Sequence, residues 1–139
     1  MSQPPAMVAI EPREHSIHAD LGRLKEARDF AAAAADDFGL DEEARYNVRL
    51  AMSEAVTNAI RHGSSSDRDP IVIVALSQGD SLIFEVRDTG RFRPRIAREG
   101  NMPERGRGLE FMRLLMDEVD VEPGVGGTCV RFAKRRAAT

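Results

Sequence analysis

The chain has 139 residues, of which 42% are hydrophobic and 31% charged, and its formal net charge is −3. A chain of this length has room for one domain that buries roughly two thirds of its unfolded surface, so we expect a self-sufficient core. The ordinary composition favours neither a disordered nor a fibrous class, and the weak net charge gives no general attraction to nucleic acid. We predict a flexible segment or first strand over 1–15, a single domain over 16–136 and a tail over 137–139.

Cysteine usage and hydropathy indicate a cytoplasmic protein without a membrane segment. Cys129 is the single cysteine, which excludes an intramolecular disulfide and suits a reducing compartment. The longest apolar runs are far shorter than the about 20 residues that cross a bilayer. The first residues lack the charged start and apolar stretch of a secretory signal. Because no second cysteine or spaced histidine accompanies Cys129, we interpret it as an inert, partly buried thiol.

Two helices are predicted in the first half of the chain. A run rich in Ala, Leu, Lys and Glu extends from Asp20 to Phe38 and stops at Gly39, as is typical of a helix with a glycine after its last turn. Asp41 is placed to cap a second helix that continues to Gly63. Apolar positions in this second helix are denser than an exposed amphipathic helix requires, so we expect most of it to be buried.

A hairpin and a long connection are predicted next. The runs 71–76 and 81–87 are rich in β-branched residues and are joined through Gln78-Gly79-Asp80, which predicts an antiparallel hairpin. The arginine-rich stretch from Asp88 to Arg105 is longer than an ordinary connection and indicates a lid over a ligand site.

The end of the chain predicts a third helix and two further strands. A helical period resumes over 107–119, and two strands around a glycine turn are predicted within 119–135. The order helix, helix, strand, strand, helix, strand, strand predicts an α+β protein. Its architecture is a two-layer α/β sandwich with helices on one face of a mostly antiparallel, mixed sheet.

The second helix presents Glu54, Asn58 and His62 at spacings of four residues, which places them along one stripe. A carboxylate can accept a proton from an attacking hydroxyl, and an asparagine carbonyl is a hard oxygen ligand for Mg²⁺. Polar triplets at helical spacing are also common on solvated helix faces. The spacing alone therefore leaves a solvated stripe as an open alternative.

Asp88-Thr89-Gly90 follows directly on the second strand of the hairpin. A carboxylate at a strand end can accept a hydrogen bond from the exocyclic amine of adenine, and a nearby glycine lets the backbone approach the ring. The same tripeptide is also an ordinary turn, so it is weak evidence when taken alone.

Gly106-Arg107-Gly108 opens the third predicted helix. Glycines there can turn backbone N–H groups toward phosphate oxygens at a helix N-terminus, and Arg105 and Arg107 can add charge-assisted contacts. The pattern fits neither a Walker A loop nor a Rossmann turn. A flexible loop that leads into a helix is the alternative.

Taken together, these three segments resemble in order and spacing the N, G1 and G2 boxes of the GHKL ATPase superfamily, whose nucleotide-binding domain has the Bergerat fold. The chain is most similar to the bacterial anti-sigma factor serine/threonine kinases of that superfamily. The matching segments are EAVTNAIRHG from Glu54, VRDTG from Val86 and ERGRGLEFMRLLMDEV from Glu104, with GGTCVRFAKR as the closing strand.

The resemblance implies Mg-ATP as the ligand and assigns a role to each site residue. Glu54 would be the general base, Asn58 the Mg²⁺ ligand and Asp88 the adenine acceptor. Thr128 would support Asp88 and the adenine, and Arg105 would contact phosphate. The residues that would shape the nucleotide pocket are Gly90, Gly106, Gly108 and Leu109. Phe92 stands where many superfamily members have another glycine, so the geometry of the lid would differ from theirs.

By the same resemblance the protein would be an anti-sigma factor, working as a homodimer. It would sequester an RNA polymerase sigma factor and phosphorylate a serine or threonine of an anti-sigma factor antagonist. One alternative is an ATP-sensing switch with little kinase activity that acts on a different regulatory partner. A detached histidine-kinase domain is another, although no dimerising hairpin with a phosphoacceptor histidine precedes the motifs. We interpret His15 and His18 as surface or partner-contacting residues.

Overall fold

The computed structural model describes residues 9–63, 69–88, 103–124 and 126–137. A 3₁₀ turn (Leu21–Arg23) precedes the first α-helix, and a π-helical turn (Ala59–Gly63) directly follows the second. The predicted lid lies mostly outside the described residues. The main elements in chain order are β1 (Arg13–His18), α1 (Leu24–Phe38), α2 (Glu42–Asn58), β2 (Pro70–Gln78), β3 (Ser81–Asp88), α3 (Pro103–Leu115), β4 (Glu118–Gly124) and β5 (Gly127–Arg135).

α1 ends and α2 begins at the residues that their local chemistry predicts, whereas the predicted start of the first helix at Asp20 is wrong, because residues 21–23 form the 3₁₀ turn and α1 begins at Leu24. Gly39 ends α1 in the left-handed conformation with φ of 88°, which glycine adopts without a steric penalty. Asp41 caps α2 by accepting a hydrogen bond from the backbone N–H of Ala44 at 2.8 Å. The predicted continuation to Gly63 is confirmed as helix, with the last five residues in the π form.

The sheet has the strand order β1-β2-β3-β5-β4. The hairpin between β2 and β3 is confirmed, and Gly79 in its turn has φ of 60°. Among the described residues every strand pair is antiparallel, so the sheet contains no parallel pair of the kind that a mixed sheet would have. β1 is an edge strand that crosses the boundary drawn at residues 15 and 16, and it pairs Ile17 with Ile71 of β2.

The third helix lies four residues earlier in the chain than the sequence predicts. It begins at Pro103, a residue well suited to a first helical turn, and ends at Leu115 instead of Val119. The chain after it is drawn into the sheet, because the N–H of Asp117 donates to the carbonyl of Ala133 and β4 begins at Glu118. Tertiary pairing therefore overrides the helical period at this end.

The three helices cover one face of the sheet and enclose the hydrophobic core. Ile71 and Ile73 of β2 point inward and are fully buried, and Phe84 of β3 stacks on Phe132 of β5 with ring centroids 5.3 Å apart. Within the described ranges, no helix has the length and apolar character needed to cross a membrane. This packing brings the C-terminal end of α2 against β3 and β5, since the π-helical turn contacts both strands.

Candidate functional site

Three polar side chains are buried within the described part of the chain, and all three belong to the predicted site. Asn58, Asp88 and Thr128 are exposed by only 5%, 6% and 5%. A buried polar group costs free energy unless it is hydrogen-bonded, so such groups are normally few and have a structural or functional reason. Their presence at the end of α2 and at adjoining ends of β3 and β5 marks this region as the candidate site.

The first and third motifs meet where α3 crosses α2. A Cβ atom added to Gly108 would lie 2.8 Å from Oε2 of Glu54 and 3.1 Å from Nδ2 of Asn58. The backbone of α3 therefore passes directly over the carboxylate and the amide, and a side chain at position 108 would displace them. Glu54 is half-buried and Asn58 is buried, which excludes a simple solvated stripe.

The amide of Asn58 is suited to a ligand that carries charge. Its buried Nδ2 atom has no hydrogen-bond partner among the described residues, and leaving such a group unpaired costs about 1–3 kcal/mol. Rotation of the amide would bring Oδ1, a hard oxygen donor, to the same place. Mg²⁺ commonly uses one or two protein oxygens and completes its shell with phosphates and waters. The described residues contain no cluster of three acidic, histidine or cysteine side chains, so a cation here would rely on those other ligands.

Asp88 and Thr128 form the other half of the site. The last pair of the β3–β5 ladder is Arg87 with Cys129, which places Asp88 opposite Thr128 just beyond it. The backbone N–H of Thr128, which lies in β5 just beyond this last pair, donates to the carboxylate oxygen Oδ1 of Asp88 at 3.1 Å. This hydrogen bond orients a buried carboxylate at the end of β3.

Gly127 is a site residue that the sequence analysis did not single out. Its φ is 135°, and a Cβ there would lie 3.0 Å from Oδ1 of Asp88 and closer still to the Asp88 carbonyl oxygen. The available signal was the doublet Gly126-Gly127 before Thr128, but nothing in the sequence indicates which glycine meets another strand.

The other predicted site residues are placed less completely. Leu109 is half-buried and packs against the hydrophobic core. Arg105 and Gly106 belong to the first turns of α3, but the surroundings of these two residues are not among the described features, and neither is the side chain of His62. Gly90 lies wholly outside them. The roles of these residues remain predictions.

Cys129 lies on β5 next to Thr128 and is half-buried. Burial raises the pKa of its thiol, and the nearby Glu85 acts in the same direction. Because the thiolate is the reactive form, we expect iodoacetamide to alkylate Cys129 more slowly at pH 8 than it alkylates a free cysteine. Mass spectrometry of timed samples measures this, with the urea-unfolded protein as the control. Equal rates in the folded and unfolded protein would contradict the expectation.

Comparison with known proteins identifies the family. The sequence profile of the histidine kinase-like ATPase domain matches residues 17–134. The chain is 33% identical over 117 residues to an anti-sigma F factor of Thermoanaerobacter sp. (strain X514), covering 78% of this chain and 82% of that protein. It is 31% identical over 96 residues to the serine-protein kinase RsbW of Bacillus subtilis (strain 168), covering 59% of each.

Solved structures share the fold. The crystal structure of the RsbU and RsbW domains of a Mycobacterium tuberculosis protein matches with a TM-score of 0.70 at 24% identity, covering 94% of this chain and 35% of that longer one. A histidine kinase domain from Erythrobacter litoralis matches with a TM-score of 0.53, also at 24% identity. These structures show the fold, whereas the profile match and the 33% identity to the anti-sigma F factor show the family. The chain belongs to the histidine kinase-like ATPase domain family and, within it, to the group of bacterial anti-sigma factor serine kinases.

Proposed function

We propose that this protein binds Mg-ATP in the site between α2, α3 and the ends of β3 and β5, and that it is an anti-sigma factor with serine/threonine kinase activity. The observation that carries the proposal is that the buried polar side chains of the described residues, Asn58, Asp88 and Thr128, lie at the end of α2 and at the adjoining ends of β3 and β5, which the π-helical turn after α2 contacts. The family indicates the type of ligand, and these residues offer an amide for the cation and a carboxylate for the adenine.

Each residue of the site would have a separate role that follows from its position. Asn58 would hold Mg²⁺, and Asp88, oriented by Thr128, would accept the adenine amine. When bound, Mg-ATP supplies the phosphoryl group to be transferred and the cation that offsets its charge. Glu54 lies one helical turn before Asn58, so its carboxylate would take the proton of a substrate hydroxyl beside the metal. Gly90, Arg105, Gly106, Gly108 and Leu109 would complete the pocket.

The proposed partners are a sigma factor and an anti-sigma factor antagonist whose serine or threonine is phosphorylated, with a homodimer as the working form in the cytoplasm. A direct test incubates the protein with radiolabelled ATP and the proteins captured with it from its native cell. Acid-stable phosphate on serine or threonine of a small partner supports the kinase. Acid-labile phosphate on histidine contradicts it, and nucleotide binding without any transfer favours the alternative of an ATP-sensing switch.

The N-terminal part of α1 and β1 is our candidate for the sigma-binding face. Arg23 pairs with Glu26 at 3.4 Å, and both side chains are well exposed. A hydrogen bond from His15 of β1 lowers the pKa of Glu26, so this carboxylate is ionised at neutral pH. Lys25 pairs with Asp29 at 2.9 Å. Exposed pairs of this kind contribute little to stability, so a charged partner can replace them at small cost.

We expect Arg23→Glu to weaken sigma-factor binding, with the larger loss at low salt, and to leave ATP affinity unchanged. The reversed charge would repel Glu26 and would also repel an acidic group of the partner that pairs with Arg23, and salt screens this effect. Pull-downs at several salt concentrations measure it, with Arg113→Glu on the exposed face of α3 as the matched control. If Arg23→Glu captures sigma factor as well as the unchanged protein at low salt, this face is not the interface.

A further inference from the structure

We propose that Gly127 is a positioning residue that sets the nucleotide selectivity of the site by letting β5 hold the Asp88 carboxylate in one orientation. The inference rests on the proposed function, because it concerns the carboxylate that would accept the adenine amine. It assigns the selectivity to a residue whose own atoms need not contact the base.

The backbone at Gly127 has two properties that exclude any other residue. Its φ of 135° lies in a region that L-residues with a side chain rarely adopt. A Cβ atom would also lie 2.9 Å from the carbonyl carbon of Asp88 and nearer still to the carbonyl oxygen. Real Cβ atoms do not approach backbone atoms this closely, so one of the two strands would have to move.

Neither strand can move without breaking the contact to Asp88. Asp88 is held on its other side by β2, where it pairs with Ile71, and the preceding residue Arg87 pairs with Cys129. The separation that a Cβ at position 127 demands would therefore open the end of β5. The group nearest to that opening is the N–H of Thr128, which donates to Oδ1 of Asp88 at 3.1 Å.

Losing this hydrogen bond removes a donor that helps to fix the plane of the carboxylate, and that would affect one part of the ligand only. A carboxylate with a fixed plane distinguishes a purine that carries an amine donor from one that does not. When the amine is missing, the carboxylate oxygen that would accept its hydrogen bond is left buried without a partner. A carboxylate displaced from that plane distinguishes them poorly. The phosphates and the cation would be bound near Asn58, in the other half of the site, and their binding would not be affected.

The experiment compares Gly127→Ala with Gly126→Ala. Gly126 is the matched control, because a Cβ there meets nothing within 4 Å. Calorimetry with Mg²⁺ present measures the affinity of each variant and of the unchanged protein for ATP and for purine riboside triphosphate, which lacks only the 6-amino group. Circular dichroism establishes that each variant is folded.

We expect the unchanged protein and Gly126→Ala to prefer ATP by about tenfold or more, the value of a hydrogen bond to a charged group. Gly127→Ala should lose affinity for ATP and much less affinity for the analogue, so that the preference falls toward one. A purely structural role would weaken both ligands equally, and an unchanged preference in Gly127→Ala overturns the inference. If the unchanged protein itself shows no preference, the proposed role of Asp88 fails as well.

A second measurement does not depend on the variant folding. Hydrogen exchange in the nucleotide-free, unchanged protein should show a protected Thr128 amide, and Asp88→Ala should remove that protection by removing the acceptor. Exchange of the Thr128 amide at the rate of an unpaired amide in the unchanged protein would overturn the inference.

Discussion

Replacing Glu54 by glutamine is expected to lower phosphotransfer by about 100-fold or more while nucleotide binding persists, because glutamine keeps the shape but loses the proton acceptor. The two side chains have nearly the same size, so glutamine fits beneath the backbone of Gly108, which crosses over this position. A 100-fold loss corresponds to about 2.7 kcal/mol in the activation free energy. Single-turnover transfer to the antagonist, with calorimetry for ATP binding, measures both effects.

The matched control is Glu110→Gln, which makes the same chemical change on the exposed face of α3. It should transfer phosphate at the normal rate. Some residual activity is expected in Glu54→Gln, since phosphoryl transfer depends heavily on positioning and charge. Transfer at full speed in Glu54→Gln would show that Glu54 has a structural role only.

Replacing Asp88 by asparagine should weaken ATP binding by roughly 10- to 100-fold, the effect of an unmatched buried polar group. The hydrogen bond from Thr128 favours one orientation of the new amide. The N–H of Thr128 requires an oxygen at the position of Oδ1, so the amide nitrogen occupies the position of the other carboxylate oxygen. A donor would then face the adenine amine, which is itself a donor.

Asp120→Asn on the exposed face of β4 is the control for this change, and it should bind ATP with normal affinity. Calorimetry with Mg-ATP compares the two variants, and thermal unfolding shows whether Asp88→Asn remains folded. A folded Asp88→Asn variant with unchanged affinity would remove Asp88 from adenine recognition.

The elements with strong local signals could be predicted from the sequence. Gly39 and Asp41 mark adjoining helix ends by backbone preference and by capping, both of which act within a few residues. The β2–β3 hairpin follows in the same way from β-branched runs around a tight turn. β1 has a single buried apolar side chain, Ile17, so its strand conformation comes from pairing with β2 and not from a pattern of its own.

The candidate site was predicted in part, because its motifs resemble those of a known superfamily. Residues such as Asn58 and Asp88 were identified by order and spacing, whereas spacing alone did not exclude a solvated stripe or an ordinary turn. The burial of Asn58 at 5% exposure decides against the solvated stripe, and burial depends on what packs around a residue. The alternative of a turn concerns residues 88–90, of which only Asp88 is among the described residues.

The sequence by itself determined the end of α1, the start of α2, the hairpin and the family, because caps, turns and motifs act over short stretches of chain. Only the tertiary structure decided the insertion of β5 between β3 and β4, the early end of α3, and the two close approaches made by glycines. Gly108 meets Glu54 and Gly127 meets Asp88 across long sequence separations. Such contacts follow from how the sheet and the helices pack. Because a glycine has no side chain, no local sequence pattern predicts which glycine makes a close contact.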